Sequence, residues 1–354
     1  MHTLVVADHY IPADAYTSAL SAELGADFGP VETVMWSGTK GEQHHLQQRM
    51  EWDGPNAVEP PAELLERVAD VEVIVLHFAP IGAAVLAAAP RLRAVVVARA
   101  GVENVDTDAA TAAGVAVANV AGRNASGVAE LSIGLMLSEG RDIARADASI
   151  KTGGWRGQFP GPLTEIGGST VGLVGFGHVG HHLAARLAGF GVRLLVADPY
   201  ADPVAVAGHG GAVVPLDEVF RQSDFISVQA RVTPETTRFI GAAQFALCKP
   251  TAYFVNVGRS RLVDYDALLQ ALTAGQIAGA GLDVYDSEPL PDDSPFRSLD
   301  NVTMTTHFGG DTLTTVSRSG RLVAAAVAEF ARTGRLTGAV NSVSAETVPG
   351  TARP

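Results

Sequence analysis

Four residues in the last third of the chain have side chains suited to proton transfer beside a bound anion. Arg259, Asp283 and His307 each follow a short strand-like run, and Glu288 comes five residues after Asp283. A histidine titrates near neutral pH and can give or take a proton. A neighbouring carboxylate stabilises the imidazolium, and a guanidinium binds a carboxylate through paired hydrogen bonds. These residue types therefore favour acid–base chemistry on a carboxylate-bearing compound.

A glycine-rich segment earlier in the chain indicates a nucleotide cofactor. Residues 171–180, VGLVGFGHVG, run from an apolar strand pattern into Gly175, Gly177 and Gly180, and a helical pattern follows at once. Such glycines allow a tight turn and close approach of the backbone to a pyrophosphate, which the helix N-terminus stabilises. A second apolar run ends at Asp198, near the spacing of about 20 residues at which an acid accepts the ribose hydroxyls. The acid repels a 2′-phosphate, so the pattern predicts NAD rather than NADP.

The two patterns together predict a redox reaction. Reduction of a ketone by NADH requires a proton for the oxygen, which His307 can supply, while Arg259 stabilises the charge on that oxygen. Ligands of an open α/β sheet lie beyond the carboxyl ends of its strands, so these strand-end residues are expected on one rim. Taken singly, a strand-end arginine is as readily a surface charge, Glu-Pro a turn, and a lone histidine a structural residue.

The elements that must position these residues alternate between strands and helices. From 169 to 301 the alternation predicts six parallel strands in a doubly wound sheet, at 171–174, 193–197, 225–228, 253–257, 280–284 and 302–305. The first hundred residues predict a helix at 13–24 and strands at 4–7, 71–76 and 92–98. We therefore expect an α/β protein with two doubly wound parallel-sheet domains, Rossmann- or flavodoxin-like. The polar, Gly- and Pro-containing stretch 36–61 is expected to be a long loop with one short helix at most.

Two further helices set the expected domain limits. Residues 124–150 predict one long helix, and residues 314–333 predict a closing helix that packs back on the first domain. The first domain is then discontinuous, made of 1–120 and 307–340, and 121–306 forms the NAD-binding domain. The tail 341–354 contains proline and glycine and is expected to be loosely held.

Composition narrows the classes of partner. The 25 Lys and Arg against 38 Asp and Glu give a net charge of −13, with no basic run, which argues against nucleic acid and anionic membranes. The single cysteine, Cys248, allows no intrachain disulfide, and the N-terminus does not resemble a signal peptide. The apolar run 128–137 is too short to span a membrane. We expect a cytoplasmic protein, and no cluster of metal ligands is found in the sequence.

Several motifs resemble those of one family, the D-isomer-specific 2-hydroxyacid dehydrogenases, and within it the phosphoglycerate dehydrogenase-like members. The resemblance runs from about residue 94 to 341. The motifs that carry it are NVGRSRLVDYDALL at 256–269, GLDV at 281–284, EP at 288–289, HFGG at 307–310, AGVENVD at 100–106 and VAEL at 128–131.

The resemblance implies roles for named residues. The implied catalytic set is Arg259, Glu288 and His307, with Asp283 holding the nicotinamide carboxamide. The implied cofactor contacts are Gly175, Gly177, His178, Val179, Gly180, Asp198, Ala230, Arg231, Val257, Asp283 and Gly309. The implied substrate contacts are Arg99, Ala100, Gly101 and Val102. The family further implies a cleft between the domains, a homodimer built through the helix at 124–150, and a small anionic, 3-phosphoglycerate-like 2-hydroxy or 2-oxo acid as substrate.

The chain departs from the family pattern at three places. In the usual motif His-x-Pro-x-Thr, Gln229 replaces the histidine and Arg231 the proline. Thr306 replaces the proline that commonly precedes the catalytic histidine, here His307, and Asp311 replaces the small residue that usually follows the two glycines. The last two changes, Thr306 and Asp311, put the substrate in doubt more than the reaction type. Arg99 is equally well explained as a ligand of a phosphate, phosphonate or second carboxylate and as a structural residue.

Two alternatives stay open at this point. One is a relative that oxidises a phosphorus-containing compound, such as phosphite or a hydroxyalkylphosphonate. The other is a non-catalytic, NAD(H)-sensing corepressor-like protein, which can retain the same residues. The segment after the closing helix is shorter than the regulatory domain of longer phosphoglycerate dehydrogenases, so we expect no amino-acid feedback by that route.

Overall fold

The computed structural model describes residues 1–25, 29–155 and 160–343 of the chain. The chain divides into two compact units: unit 1 is Met1–Arg123 with Asp311–Pro354, and unit 2 is Asn124–Gly310. The tail predicted at 341–354 lies outside the described residues from 344 onward. The domain limits given from the sequence stay predictions.

Unit 1 is built on a parallel sheet that is buried on both faces. Its strands are β1 (Thr3–Ala7), β2 (Val31–Met35), β3 (Val73–Leu76), β4 (Ala94–Val97) and β5 (Ala116–Asn119). Its first helices are α1 (Ala13–Leu24), α2 (Lys40–Asp53), α3 (Ala62–Arg67), α4 (Ala83–Ala88) and α5 (Thr107–Ala112). The strand order β2-β1-β3-β4-β5 is that of flavodoxin-like folds. Leu4 and Val6 pack in one hydrophobic cluster and Val5 in another, which explains the continuous apolar runs in the sequence.

The prediction of a long loop at 36–61 is wrong, because this segment contains the 14-residue helix α2. The Thr39 hydroxyl accepts a hydrogen bond from the Glu42 N–H, and the Glu42 carboxylate accepts one from the Thr39 N–H. This capping box satisfies two N–H groups at the start of the helix. The side chains that α2 buries are Gln43, Gln47 and Met50. Two of these three are polar, so a search for apolar periodicity does not find the helix.

Unit 2 is a larger parallel sheet. Its strands are β6 (Thr170–Val174), β7 (Arg193–Ala197), β8 (Gly211–Val213), β9 (Phe225–Val228), β10 (Tyr253–Asn256), β11 (Gly279–Leu282) and β12 (Val302–Met304). Its helices are α6 (Ala125–Gly140), α7 (Ile143–Lys151), α8 (His178–Leu187), α9 (Pro203–Gly208), α10 (Leu216–Gln222), α11 (Ala242–Phe245) and α12 (Tyr265–Thr273). The strand order is β12-β11-β10-β9-β6-β7-β8. The prediction of two parallel α/β sheets is confirmed. The count of six strands is wrong, because the edge strand β8 is only three residues long and partly exposed, and it was not recognised in the sequence.

The single helix predicted over 124–150 is also wrong, because α6 and α7 are separate helices. Asp142, which lies between them, has a φ of 53°, in the left-handed region that interrupts a right-handed helix. The buried Glu139 carboxylate accepts two hydrogen bonds from Arg145, at 3.0 and 2.8 Å. Burial raises the pKa of the Glu139 carboxyl, and the Arg145 hydrogen bonds oppose that shift. Helix periodicity reveals neither the left-handed residue at the break nor the buried ion pair that spans it.

The closing helix α13 (Leu313–Thr333) belongs to unit 1 and packs against α1. Tyr16 and Leu20 of α1 share a hydrophobic cluster with Val323 and Val327 of α13. Gly320 lies where the two helices meet, and a Cβ there would clash with the Ala15 carbonyl oxygen. In the described ranges, no helix combines the length and the apolar character that crossing a bilayer requires.

Candidate active site

Six strand ends of unit 2 lie level along one edge of its sheet. The parallel register pairs Val174 of β6 with Ala197 of β7 and with Val228 of β9, and it continues in the same way through β10, β11 and β12. The residues that follow these strands therefore line one rim in the order Asp198, Gly175, Gln229, Val257, Asp283 and Thr305. Open α/β sheets bind ligands at this edge, where the strand order reverses.

The three glycines of the loop after β6 serve different purposes. Gly175 has a φ of 99°, and a Cβ there would lie 2.7 Å from the Ala230 Cα. A Cβ on Gly180 would lie 2.8 Å from the Gly175 carbonyl oxygen. By contrast, nothing lies within 4 Å of a Cβ placed on Gly177, which N-caps α8 without any side-chain hydrogen bond. Open space before an uncapped helix N-terminus suits the pyrophosphate of NAD, so the residues present fit this cofactor.

The other predicted cofactor contacts surround this loop. His178 and Val179 form the first turn of α8 with Gly180. The Asp198 carboxylate accepts hydrogen bonds from the N–H groups of Phe176, at 2.7 Å, and Tyr200, at 2.8 Å. Ala230 and Arg231 follow β9, and Val257 follows β10.

Gln229, one of the departures from the family pattern, contacts the glycine loop through its side chain. Its side-chain N–H donates to the Gly175 carbonyl at 2.8 Å, and its side-chain oxygen accepts from the Ser227 hydroxyl at 2.9 Å. Gln229 therefore fixes the start of the glycine loop.

A carboxylate–imidazole pair lies at the β11–β12 end of the rim. The Glu288 carboxylate Oε2 lies 2.7 Å from His307 Nδ1, and its Oε1 accepts the Tyr285 N–H at 2.9 Å. Because a carboxylate only accepts, Nδ1 carries the proton and donates it to Glu288. The Glu288 side chain is 7% exposed and that of His307 26%. The buried acid thus fixes the ring of a histidine that still reaches solvent.

Asp283 holds the loop that carries His307. Its carboxylate accepts hydrogen bonds from the Thr305 hydroxyl at 2.6 Å, the Phe308 N–H at 3.1 Å and the Gly309 N–H at 3.0 Å. His307 itself has a φ of 55°, which costs a non-glycine residue free energy and persists only where neighbours impose it. The Asp283 hydrogen bonds on both sides of His307 impose it here. The carboxamide role given to Asp283 stays a prediction.

Arg259 follows β10 on the same rim and is partly buried. Its Nη1 donates to the Gly258 carbonyl at 2.9 Å. The register of β10 and β11 puts the segment that carries Arg259 beside the segment that begins with Asp283. The structure thus brings Glu288 and His307 into direct contact and places Arg259 at a neighbouring strand end.

In unit 1, the predicted substrate segment follows β4. Arg99 is buried, and its Nη2 lies 2.8 Å from Glu51 Oε1 and 3.3 Å from Glu103 Oε2. Its guanidinium carbon lies 5.4 Å from the centre of the Phe78 ring. Ala100, Gly101 and Val102 follow, and the Ala100 carbonyl accepts a hydrogen bond from the Asn119 side chain. Arg99 therefore already has carboxylate partners within its own unit.

Sequence reasoning missed a buried charged network in unit 1. His77 Nδ1 lies 3.0 Å from the Asp8 carboxylate, and its Nε2 lies 2.6 Å from Arg123 Nη2. Arg123 Nη1 also donates to the Ser319 hydroxyl at 3.2 Å. Burial, aided by the positive charge of Arg123, lowers the pKa of His77 to about 4, although Asp8 opposes the shift. Asp8 and His77 each directly follow a strand of the sheet, so the strand-end rule applied to unit 2 would have found these two residues here too, but not Arg123, which lies four residues after β5.

The two remaining departures from the family pattern differ in their contacts. Thr306, next to His307, is exposed. Asp311, where the chain re-enters unit 1, forms an ion pair with Lys40 at the start of α2. The Lys40 ammonium lies 4.6 Å from the centre of the Tyr10 ring. Asp311 therefore pairs, within unit 1, with the first residue of a helix that was not predicted.

Comparison with known proteins gives one family. The family model described as "D-isomer specific 2-hydroxyacid dehydrogenase, NAD binding domain" matches residues 133–309, half of the chain. D-3-phosphoglycerate dehydrogenase of Mycobacterium leprae is 41% identical over 284 residues, and the human protein of that name is 38% identical over 282. Both alignments cover 79% of this chain and 52% of the relative, so the chain spans about half the length of these relatives.

Solved structures share the fold. The TT0316 protein from Thermus thermophilus superposes with a TM-score of 0.76 at 28% identity, over 96% of this chain and all of that one. The similarity extends over both units.

Proposed function

The chain belongs to the D-isomer-specific 2-hydroxyacid dehydrogenases and carries their NAD-binding domain, and on this basis we propose that it interconverts a small 2-hydroxy acid and its 2-oxo acid. NADH, when bound, supplies the hydride. The observation that carries the proposal is the hydrogen-bonded pair of Glu288 and His307 at the strand-end rim of unit 2.

His307 is the proton donor in the reducing direction. Nδ1 is engaged by Glu288, and Nε2 is the ring atom that exchanges a proton with a substrate oxygen. As His307 becomes an imidazolium, the buried carboxylate stabilises the positive charge. In the opposite direction the neutral ring takes the hydroxyl proton.

Arg259 holds the substrate carboxylate and stabilises the charge that develops on the carbonyl oxygen. A guanidinium offers two parallel N–H donors, which match a carboxylate. Ala100, Gly101 and Val102 supply backbone contacts to the substrate, as the family pattern implies. The relatives named D-3-phosphoglycerate dehydrogenase make 3-phosphoglycerate the first compound to test.

We also propose a cytoplasmic homodimer built through α6 and α7. The single cysteine is typical of a reducing compartment. The amphipathic helix α7 leaves Ile143 and Ile150 more than half exposed, which suits an interface between two copies.

The test of the proposed activity is the decay of NADH absorbance with a panel of 2-oxo acids. The panel holds glyoxylate, pyruvate, hydroxypyruvate, 3-phosphohydroxypyruvate and phosphonopyruvate. We expect turnover of at least one member and a loss on the order of a thousandfold in kcat/KM in His307→Ala. NADH binding without turnover of any member would contradict the proposal and favour the sensor or a phosphorus-oxidising enzyme.

A further inference from the structure

The charge exposed at the predicted substrate segment is negative. Glu103 directly follows Val102, and its side chain is 45% exposed, whereas that of Arg99 is 6% exposed. The Glu103 carboxylate folds back over Gly101, so that a Cβ on this glycine would clash with both carboxylate oxygens. A compound that approaches Gly101 therefore meets Glu103 before it meets the buried guanidinium.

The positive charge of Arg99 is already compensated. Its Nη2 pairs with both Glu51 and Glu103, and Phe78 lies beside the guanidinium plane. Its Nη1 is buried and has no hydrogen-bond partner among the described residues. The Arg99 guanidinium is thus paired with two carboxylates, of which that of Glu103 is the more exposed.

Two other cations of unit 1, Arg123 and Lys40, are also engaged. Arg123 donates to His77 and Ser319 and is buried, and Lys40 is paired with Asp311. His77 stays neutral at pH 7, because burial holds its pKa at about 4. A phosphoryl group needs several N–H donors or cations that converge on its oxygens. The described contacts of Arg99, Arg123 and Lys40 do not leave such a set at the segment.

We propose that Glu103 determines substrate choice: it rejects 2-oxo acids that end in a phosphoryl group and favours those that end in a hydroxyl group. The inference rests on the proposed function and refines it. A hydroxyl donates a hydrogen bond to the Glu103 carboxylate, while a phosphoryl dianion is repelled by it. The substrate is then a monoanion, although the relatives are named for a phosphorylated compound.

The test compares two substrates that differ only in the phosphoryl group. We measure kcat/KM with NADH for hydroxypyruvate and for 3-phosphohydroxypyruvate, with pyruvate as the compound that lacks the hydroxyl. The wild-type protein is expected to prefer hydroxypyruvate over both. In Glu103→Gln, the ratio of kcat/KM for hydroxypyruvate to kcat/KM for 3-phosphohydroxypyruvate is expected to fall by about three- to tenfold, which is the effect expected from the loss of one partly exposed charge.

Asp108→Asn is the matched control. Asp108 lies in the first turn of α5 and is exposed, and the substitution removes the same charge from unit 1. The substrate ratio is expected to stay at the wild-type value in this variant. A wild-type preference for 3-phosphohydroxypyruvate, or an equal ratio in Glu103→Gln and Asp108→Asn, would overturn the role of Glu103.

A second measurement separates this inference from the proposed activity. Thermal unfolding is followed with NAD and either D-glycerate or 3-phosphoglycerate at equal concentration, and D-glycerate is expected to raise the midpoint more. If no 2-oxo acid is reduced, the proposed activity fails, and the comparison of the two midpoint shifts alone decides whether Glu103 selects against a phosphoryl group. A larger shift with 3-phosphoglycerate, or no shift with D-glycerate, overturns the inference.

Discussion

Each unit contains a histidine whose Nδ1 faces a carboxylate, and burial separates their chemistry. His307 and Glu288 lie at a rim where the imidazole still reaches solvent, whereas His77 and Asp8 are both 1% exposed. Burial holds His77 neutral, so it accepts a hydrogen bond from Arg123 and serves as a fixed polar link. The sequence identified His307 from its motif. His77 also directly follows a strand but is not part of a motif that was singled out, and its role as a fixed polar link follows only from its packing.

At the residue scale, His77 predicts a specific pH dependence of stability. The folded-state pKa is about 4, below the ordinary value of 6.5, so the unfolded chain binds the proton first as the pH falls. The free energy of unfolding should therefore decrease between pH 6.5 and pH 4, by roughly 3 kcal/mol at most from this group. In His77→Gln this part of the decrease should be absent when urea unfolding is measured across that range.

His45, an exposed histidine of α2, provides the control. His45→Gln should retain the wild-type pH dependence. Parallel stability curves for His77→Gln and the wild-type protein would show that His77 does not stay neutral in the folded state.

At the element scale, buried parallel strands were the easiest elements to predict. β7 and β9 have the predicted limits, because strands covered on both faces are mostly apolar, as in LLVA of β7 and the Phe, Ile and Val of β9. The helix at 13–24 was predicted with its observed limits, but α2 and the break before α7 were not predicted. α2 begins with a capping box and buries two glutamines, and Glu139 before the break pairs with Arg145 after it. Both features come from contacts that a hydrophobicity pattern does not contain.

A substitution in the turn between β6 and α8 is expected to weaken cofactor binding without lowering the stability of the fold. Gly177→Ala places a methyl group in open space at a φ of −80°, which alanine tolerates, so the fold should be kept. The methyl group then occupies the position proposed for the pyrophosphate. We expect at least tenfold weaker NADH binding, about 1.4 kcal/mol or more, measured by NADH fluorescence titration.

Gly189→Ala is the matched substitution, since no atom lies within 4 Å of that Cβ position either. It should bind NADH like the wild-type protein. Equal NADH affinity in the two variants would remove the glycine loop from the cofactor site.

At the scale of the whole molecule, the sequence predicted two parallel α/β sheets and the family but not how charge is distributed within unit 1. Strand–helix alternation predicts the two sheets, and local motifs indicate the family. Pairing of Arg99 with Glu51 joins residues 48 positions apart, across an element that was predicted to be a loop. Long-range ion pairs of this kind follow from the packed fold and not from local spacing.

The proposed homodimer is a prediction at this scale. Ile143 and Ile150 are exposed on α7, and two charges introduced as Ile143→Asp and Ile150→Asp should be incompatible with a buried interface. Sedimentation velocity should give a dimer for the wild-type protein and a monomer for the double variant. Val204→Asp, an exposed apolar position on α9, should leave the dimer intact. A wild-type monomer, or a double variant that is still dimeric, would contradict the proposed interface.

The most direct measurement of the central claim follows the hydride itself. The protein is given NADH deuterated at the transferable C4 position and the 2-oxo acid that it turns over best, and the product is analysed by NMR and chiral chromatography. We expect a D-2-hydroxy acid with deuterium at C2, and His307→Asn should form this product on the order of a thousandfold more slowly. A product without deuterium at C2, or an undiminished rate in His307→Asn, would contradict hydride transfer assisted by the Glu288–His307 pair.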